Sequence, residues 1–340
     1  MKTSAIVATL AAAFGVGLVP ALSQAQPKPL ELRYSSGAPP KGNPWVTQIE
    51  RLVKDVDEES KGALKIVPFL ANQLGSEQDT IQQIARGRID MGGYSSGAAA
   101  LVVPELALAV MPFYFKNTAE LDCVLDNHLL LPMRELFAKK GIQFIGWSSV
   151  GTIDLVGKKP YLSPKDLQGS KAISYPNKTQ ALFYGAMGAN ANPMGLPEWI
   201  PAMQTGLGDV VMTTITSAFP MGLTKVAPVI TRLSLYDSPG LTLMNKGVYD
   251  KLPKEQQEAL ERAAARSPAV KMRAEVRGFE NVLFGMHDKA GGQSPTITLA
   301  QRDEWRKATE AIYPQIVKEL GGSADKIFAT MEAGRKACNK

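Results

Sequence analysis

Histidine and cysteine are nearly absent from this sequence. Among 340 residues there are two of each, His128, His287, Cys123 and Cys338. They are too few and too scattered for a zinc site, and no HExxH or CxxC pattern occurs. A hydrolytic triad would have to recruit one of the two histidines. Gly93-Tyr94-Ser95-Ser96-Gly97 matches GxSxG in form, just after a short predicted strand. Such a match arises readily in a Gly/Ser-rich turn. Neither GxGxxG nor GxxxxGK[ST] is present, so nucleotide chemistry lacks its phosphate-binding loop. Runs of like charge are missing too: 38 basic against 32 acidic side chains leave a net +6 with no concentrated basic stripe of the kind a nucleic-acid binder carries. After the first 25 residues there is no apolar run long enough to span a bilayer. Internal repeats and low-complexity tracts are also lacking. With 45% hydrophobic and 21% charged residues, the composition is that of a globular protein.

The opening segment reads as a leader. Lys2 supplies a positive start, Ala5 to Leu22 is apolar, and Ser23-Gln24-Ala25 places small residues before a cut at Gln26. The alternative, a transmembrane anchor, is disfavoured because the stretch is only about 18 residues, rich in small side chains, interrupted by Pro20 and without a basic flank after it. Residues 1–25 are therefore expected to be a cleaved signal peptide, and the protein to be periplasmic. Export places the chain where disulfides persist, so Cys123 and Cys338 are either one bridged pair or two free thiols.

Strands and helices then alternate. Leu30 to Tyr34 alternates as a strand, Trp45, Ile49, Leu52, Val53 and Val56 repeat at helical spacing up to Gly62, and Leu64 to Pro68 is a second strand. A helix around Ile81 and Ile84 stops at Gly87, and Ile89 to Gly93 is a third strand. The pattern restarts with strands at Gln143–Trp147, Ala172–Tyr175 and Val210–Thr214 and helices at Thr179–Met187 and Trp199–Thr205. Pro253–Ala265 and Leu299–Leu320 are long amphipathic helices, the second expected to kink at Pro314. The alternation predicts an α/β protein with a mostly parallel sheet in two lobes.

The order of short motifs resembles the extracytoplasmic solute-binding proteins of TRAP transporters over nearly the whole exported chain. The markers are Gln73-Leu74-Gly75, Gly87-Arg88-Ile89-Asp90-Met91, Met111-Pro112-Phe113, Lys165-Asp166-Leu167-Gln168-Gly169, Gly188, Pro193-Met194, Glu198 and Ala202-Met203-Gln204-Thr205-Gly206 followed by Asp209. The resemblance implies a periplasmic-binding-protein fold of type II-like form. Two α/β lobes would close on a solute about a hinge, crossed by a long helix, with no catalysis and no cofactor. The partners implied are the small and large TRAP membrane subunits and a small organic solute, with the binding protein itself a monomer and no nucleic acid involved. The expected division is 26–148 with 238–267 for lobe I, 149–237 with 268–325 for lobe II, and 326–340 as a tail. The chain would cross between lobes near Trp147–Gly151 and Tyr236–Gly240. A bridge from Cys123 to Cys338 would tie that tail to a helix at Thr118–Leu125.

Family members hold a ligand carboxylate with an arginine in a Lys-x-Arg-x-Pro segment. Here the segment is Lys171-Ala172-Ile173-Ser174-Tyr175-Pro176, and the arginine position falls on Ser174 or Ile173. A second basic position is Thr152 or Ile153. A carboxylate enclosed without a cation is costly to desolvate, so the solute expected is neutral, larger or partly apolar, unless Lys178 or Arg33 supplies a charge. Crevices of α/β sheets lie at strand carboxyl ends, where this chain carries Ser35-Ser36, Tyr94-Ser95-Ser96, Ser148-Ser149 and Thr213-Thr214. The ligand set expected is Ser35, Ser36, Glu77, Tyr94, Ser95, Ser96, Trp147, Ile153, Ser174, Tyr175, Asn177, Leu196, Trp199 and Thr213, with Phe113 adding apolar surface. Asn177 and Thr213 are expected to point into the cleft from opposite sides of the second lobe. The rival readings are a binding subunit for a sensor or another transporter, and an exported enzyme using Ser95 or an isolated carboxylate among Glu77, Asp154 and Glu198.

Overall fold

Two long strands set the architecture. Ile142–Gly157 (β4) and Val229–Asn245 (β8) pair antiparallel from Ile142 opposite Asn245 to Gly157 opposite Val229. The computed structural model describes residues 28–175 and 178–339. The expected leader and Asn177 lie outside the described residues. Leu30–Ser36 (β1) pairs in parallel with Leu64–Phe69 (β2) and Met91–Ser95 (β3), and β3 joins the carboxyl half of β8. On the other side, Lys171–Ser174 (β5) lies parallel to Asn190–Pro193 (β6) and Val210–Thr213 (β7), and β7 joins the carboxyl end of β4. The result is one eight-stranded sheet, ordered β2-β1-β3-β8-β4-β7-β5-β6. The expected sheet is corrected in one respect: the outer strands are parallel, but the centre is antiparallel, because both long strands run through it in opposite directions.

Local chemistry starts the flanking helices where the sequence places them. Asn43 accepts the Trp45 amide ahead of Pro44–Glu59 (α1), and Ser76 accepts the Asp79 amide ahead of Glu77–Ala85 (α2). Thr118–Val124 (α3), Lys178–Ala186 (α4) and Trp199–Thr205 (α5) follow. Lys254–Arg266 (α6) is separated by Ser267-Pro268 from the 21-residue Ala269–Lys289 (α7). Leu299–Leu320 is not one kinked helix. It divides at Ala311-Ile312 into Leu299–Glu310 (α8) and Tyr313–Leu320 (α9), and Pro314 sits in the first turn of the second, where its missing N–H costs nothing. Ala324–Cys338 (α10) ends the chain described.

The long helix α7 packs along β4 and touches α1. It is held by charge. Arg277 donates to Asp237 on β8 at 2.8 Å and to both carboxylate oxygens of Asp122 on α3 at 2.8 and 2.9 Å, and Arg273 grips Asp126 in the same bidentate way. Arg51 on α1 pairs with Glu275. Arg273 is only 2% exposed, so losing Asp126 would leave a buried charge short of a partner. At Gly151 φ is +124° and a Cβ would overlap the Glu280 carboxylate, so glycine alone lets β4 and α7 approach there. Cys123 on α3 and Cys338 on α10 are joined by a disulfide, with Cα atoms 6.0 Å apart.

That bridge spans a sequence separation of 215. The double variant Cys123→Ala/Cys338→Ala should lose about 2–4 kcal/mol of unfolding free energy, an order of magnitude set by loop-closure entropy. Urea denaturation of the oxidised and double-variant proteins measures this, with equal midpoints counting against it.

Candidate functional site

Where the two long strands pass the ends of β3, β5 and β7, they wall a cavity of about 100 Å³. The turn after β3 contributes Ser95 and Ser96, β4 contributes Val150 and Ile153, and Tyr175 follows β5. The start of α4 adds Thr179 and Gln180, the segment after β7 adds Thr213, Thr214 and Ser217, and β8 adds Tyr236 and Ser238. Ala100, Ala107, Val110 and Pro112 close the apolar side. Among the described residues no Lys, Arg, Asp or Glu side chain lines it.

The hydroxyls are organised by their neighbours. Ser95 Oγ donates to Glu77 Oε2 at 2.6 Å and accepts the Ala98 amide at 3.3 Å. The Ser96 and Ser238 hydroxyls are 2.9 Å apart, linking the end of β3 to β8. Thr214 bonds Thr216 at 2.7 Å and caps the turn through the Ser217 amide. Gln180 Oε1 accepts the Tyr175 amide at 2.9 Å, which fixes the start of the tyrosine wall. Thr179 is buried, and its hydroxyl has no partner among the described residues. Glu77 stands one layer behind Ser95, and burial raises its carboxyl pKa. Burial likewise raises both Tyr175 and Tyr236, the latter to about 12, so each phenol keeps its proton. An uncharged, hydroxyl-rich cavity with one apolar side can orient a polar solute by hydrogen bonds but offers no counter-ion.

Of the residues expected at the site, Ser95, Ser96, Ile153, Tyr175 and Thr213 line this cavity, and Glu77 supports it. Asn177 lies outside the described residues, and the others are elsewhere. Trp147 is not in the cavity wall; its Nε1 donates to the Leu125 carbonyl at 3.2 Å and its ring meets Phe144 edge-on in the core. Trp199 is fully buried, donates to the Met194 carbonyl at 3.3 Å and braces Tyr175 edge-on at 5.2 Å. Leu196 packs on that same cluster. Phe113 stacks on Trp305 in the core. Ser35, Ser36, Tyr94 and Ser174 are buried, with Ser36 Oγ accepting the Ala38 amide at 3.1 Å. Ser148 and Ser149 lie within β4 rather than at its end. Neither suspected cation arrives: Arg33 bonds Asp90, and Lys178 donates to the Glu319 carbonyl. Ser95 has no histidine beside it in the cavity wall, since His287 is buried against Phe219 and His128 is crowded against Gly334. Sequence reasoning missed Tyr236, Thr179 and Gln180. Tyr236 carried a signal, a large ring in a predicted crossing, whereas the two α4 residues carried none.

Residues 35–320 match the model of bacterial extracellular solute-binding protein family 7. The chain belongs to that family. A solute-binding protein of Verminephrobacter eiseniae is 27% identical over 277 residues, covering 81% of this chain and 82% of that one. The 2,3-diketo-L-gulonate-binding periplasmic protein of Escherichia coli is 25% identical over 279 residues, covering 82% and 84%. Among solved structures, a TRAP periplasmic solute-binding protein of Chromohalobacter salexigens with bound D-glucuronate superposes with a TM-score of 0.83 at 21% identity, covering 90% of this chain and 99% of that one. The family-7 fold, mixed α/β and two-lobed, is therefore the fold of this chain. Among the described residues no helix is long and apolar enough to cross a membrane.

Against the rear of the cavity wall sit two carboxyls that burial shifts upward. Glu280 on α7 accepts the Thr152 amide at 2.5 Å and its hydroxyl at 2.9 Å, and burial raises its pKa to about 8. Asp154 accepts the Ser234 amide at 2.8 Å, and burial raises it to about 7. Both bind protons more tightly folded than unfolded, so their contribution to stability is fullest below the unfolded carboxyl range and is lost as pH rises through about 7 and 8. Unfolding free energy measured from pH 5 to pH 8.5 should fall across that window, and Glu280→Gln should flatten the upper part. A steeper fall in the variant would contradict the assignment.

Proposed function

We propose that this chain is the periplasmic binding component of a TRAP-type transporter. It closes on a small solute at the described cavity and delivers it to the small and large membrane subunits. It is exported with loss of residues 1–25, acts as a monomer and carries out no chemistry. Lobe I is assigned to 26–148 with 238–267, and lobe II to 149–237 with 268–325. Hinge motion between the lobes shifts the population that the transporter recognises. Family membership supports the reading, as does the position of the cavity against both crossing strands.

The observation that carries the solute class is the absence of a charged side chain from the lining among the described residues. Relatives of known structure include proteins whose bound ligands are D-glucuronate, β-D-galacturonate and succinate, all acids. Ile153 occupies a position expected to be basic in such relatives, and its side chain donates nothing. Enclosing a carboxylate there would strip its water without a replacement. The solute assigned is small, uncharged where it enters the cavity, with hydroxyl or carbonyl groups for Ser95, Thr179 and Thr213 and an apolar side for Tyr175 and Val110. In this conformation the volume suits a compact molecule rather than the larger one expected from the aromatic residues, because Trp147 and Trp199 belong to the packing.

A thermal-shift screen of neutral and acidic compounds, followed by calorimetry on the hit, tests this. Tyr175→Ala should weaken the hit tenfold or more, and Ile153→Arg should abolish it while raising succinate affinity, a charge-assisted pair contributing about 1.5–3 kcal/mol. Submicromolar succinate binding by the unaltered protein that is lost in Tyr175→Ala would place an acid in this cavity and overturn the solute class.

A further inference from the structure

Next to the solute cavity, and sharing Tyr236 as a wall residue, lies a second cavity of about 300 Å³ between the crossing strands, the turn before α3 and helix α8. Its charged lining residues are Lys116, Asp237 and Arg302. Arg302 is held in place without any carboxylate. Its Nη1 donates to the Leu233 carbonyl at 2.9 Å and reaches that of Ser234 at 3.4 Å, while the guanidinium lies 5.3 Å from the centre of the Phe113 ring. Nε and Nη2 have no partner among the described residues. Burial lowers its pKa, and the adjacent Asp303 carboxylate offsets this only in part. Arg273, Arg277 and Arg335, comparably placed between elements, each hold a carboxylate.

The negative groups nearby are already occupied. Asp237 is engaged by Arg277 at 2.8 Å, and Asp303, next to Arg302, faces Arg306 at 3.5 Å. Glu120 accepts the Lys116 amide and pairs with Arg335. Glu280, behind Thr152, holds its proton up to about pH 8. Lys116 is exposed and has no ion pair among the described residues. Two cations without an ion pair among the described residues, one of them fixed by carbonyls with donors to spare, therefore meet at a cavity whose wall also carries Asn117, Thr118 and Thr152. A preset guanidinium with free N–H groups is suited to an oxygen anion.

We propose that this second cavity binds a compact oxyanion, a carboxylate or phosphate of a few heavy atoms, between Arg302 and Lys116. The site is separate from the solute cavity but mechanically adjacent to it. Thr152 lines one and its neighbour Ile153 the other, on opposite faces of β4.

Calorimetric titration of the full chain at low ionic strength, with inorganic phosphate and separately with succinate, tests the site. Saturable binding is expected, weakened tenfold or more by Arg302→Gln and by Lys116→Gln and unchanged by Tyr175→Ala, which touches only the solute cavity. Arg302 also anchors two carbonyls, so circular dichroism and melting accompany that variant. The exposed Lys116→Gln decides the question if Arg302→Gln does not fold. No saturable binding of either anion, or equal affinity in Lys116→Gln and the unaltered protein, overturns the proposal. Loss of anion binding in Tyr175→Ala alone would place the anion in the solute cavity and overturn it equally.

Discussion

The antiparallel pairing of β4 with β8 is the constraint on which the rest depends. Strands this long are unusual, and these two are needed because each half of the sheet hangs on a different end of them: β3 on the carboxyl half of β8, β7 on the carboxyl end of β4. The pairing is not uniform. Its register slips between Phe144 and Gly146, Ser149 and Gly151, and Ile153 and Leu155, and bulges of this kind bend and twist a ladder. Two of the three slips fall beside the solute cavity, and the same stretch meets α7 at Gly151. A strand pair that is continuous in hydrogen bonding yet locally irregular can carry both halves and still bend between them.

Charge is concentrated away from the solute. The bidentate arginines of α7 bind Asp122, Asp126 and Asp237 outside the cavity, and the carboxyls nearest its rear, Glu280 and Asp154, are satisfied by amides and hydroxyls rather than by cations. The interior wall is left with hydroxyls, an amide and two tyrosines. Hydrogen bonds in such a setting are directional and strengthened by exclusion of water, and they discriminate by shape and by donor and acceptor placement rather than by net charge.

Much of this was legible in the residues. Alternation and turn residues located β1, β2, β3 and the helices between them, because short-range periodicity reports directly on which face is buried. Thr213 and Tyr175 could be placed because each ends a strand whose direction the pattern makes clear. What failed did so for tertiary reasons. The parallel expectation assumed that each strand returns by a helix, whereas β4 and β8 pair across most of their length, a relation with no local signature. Trp147 and Trp199 read as cleft aromatics, but ring side chains pack equally well in the core, and only their carbonyl partners show which they do. Thr179 and Gln180 reach the cavity because α4 begins at its edge. Arg302 is far from the cavities in sequence and arrives near the start of α8.

The single disulfide also sets an order of events. Cys123 has one possible partner in the chain, and that partner lies 215 positions later. In any compartment that oxidises thiols, a newly delivered chain therefore exposes one lone thiol until its last helix arrives. During that interval the thiol has no intramolecular alternative, so mispairing within one molecule is impossible and mispairing between molecules is the only error available. A chain that loses α10 keeps a reactive sulfur permanently, and that sulfur marks the incomplete molecule to any factor that senses free thiols.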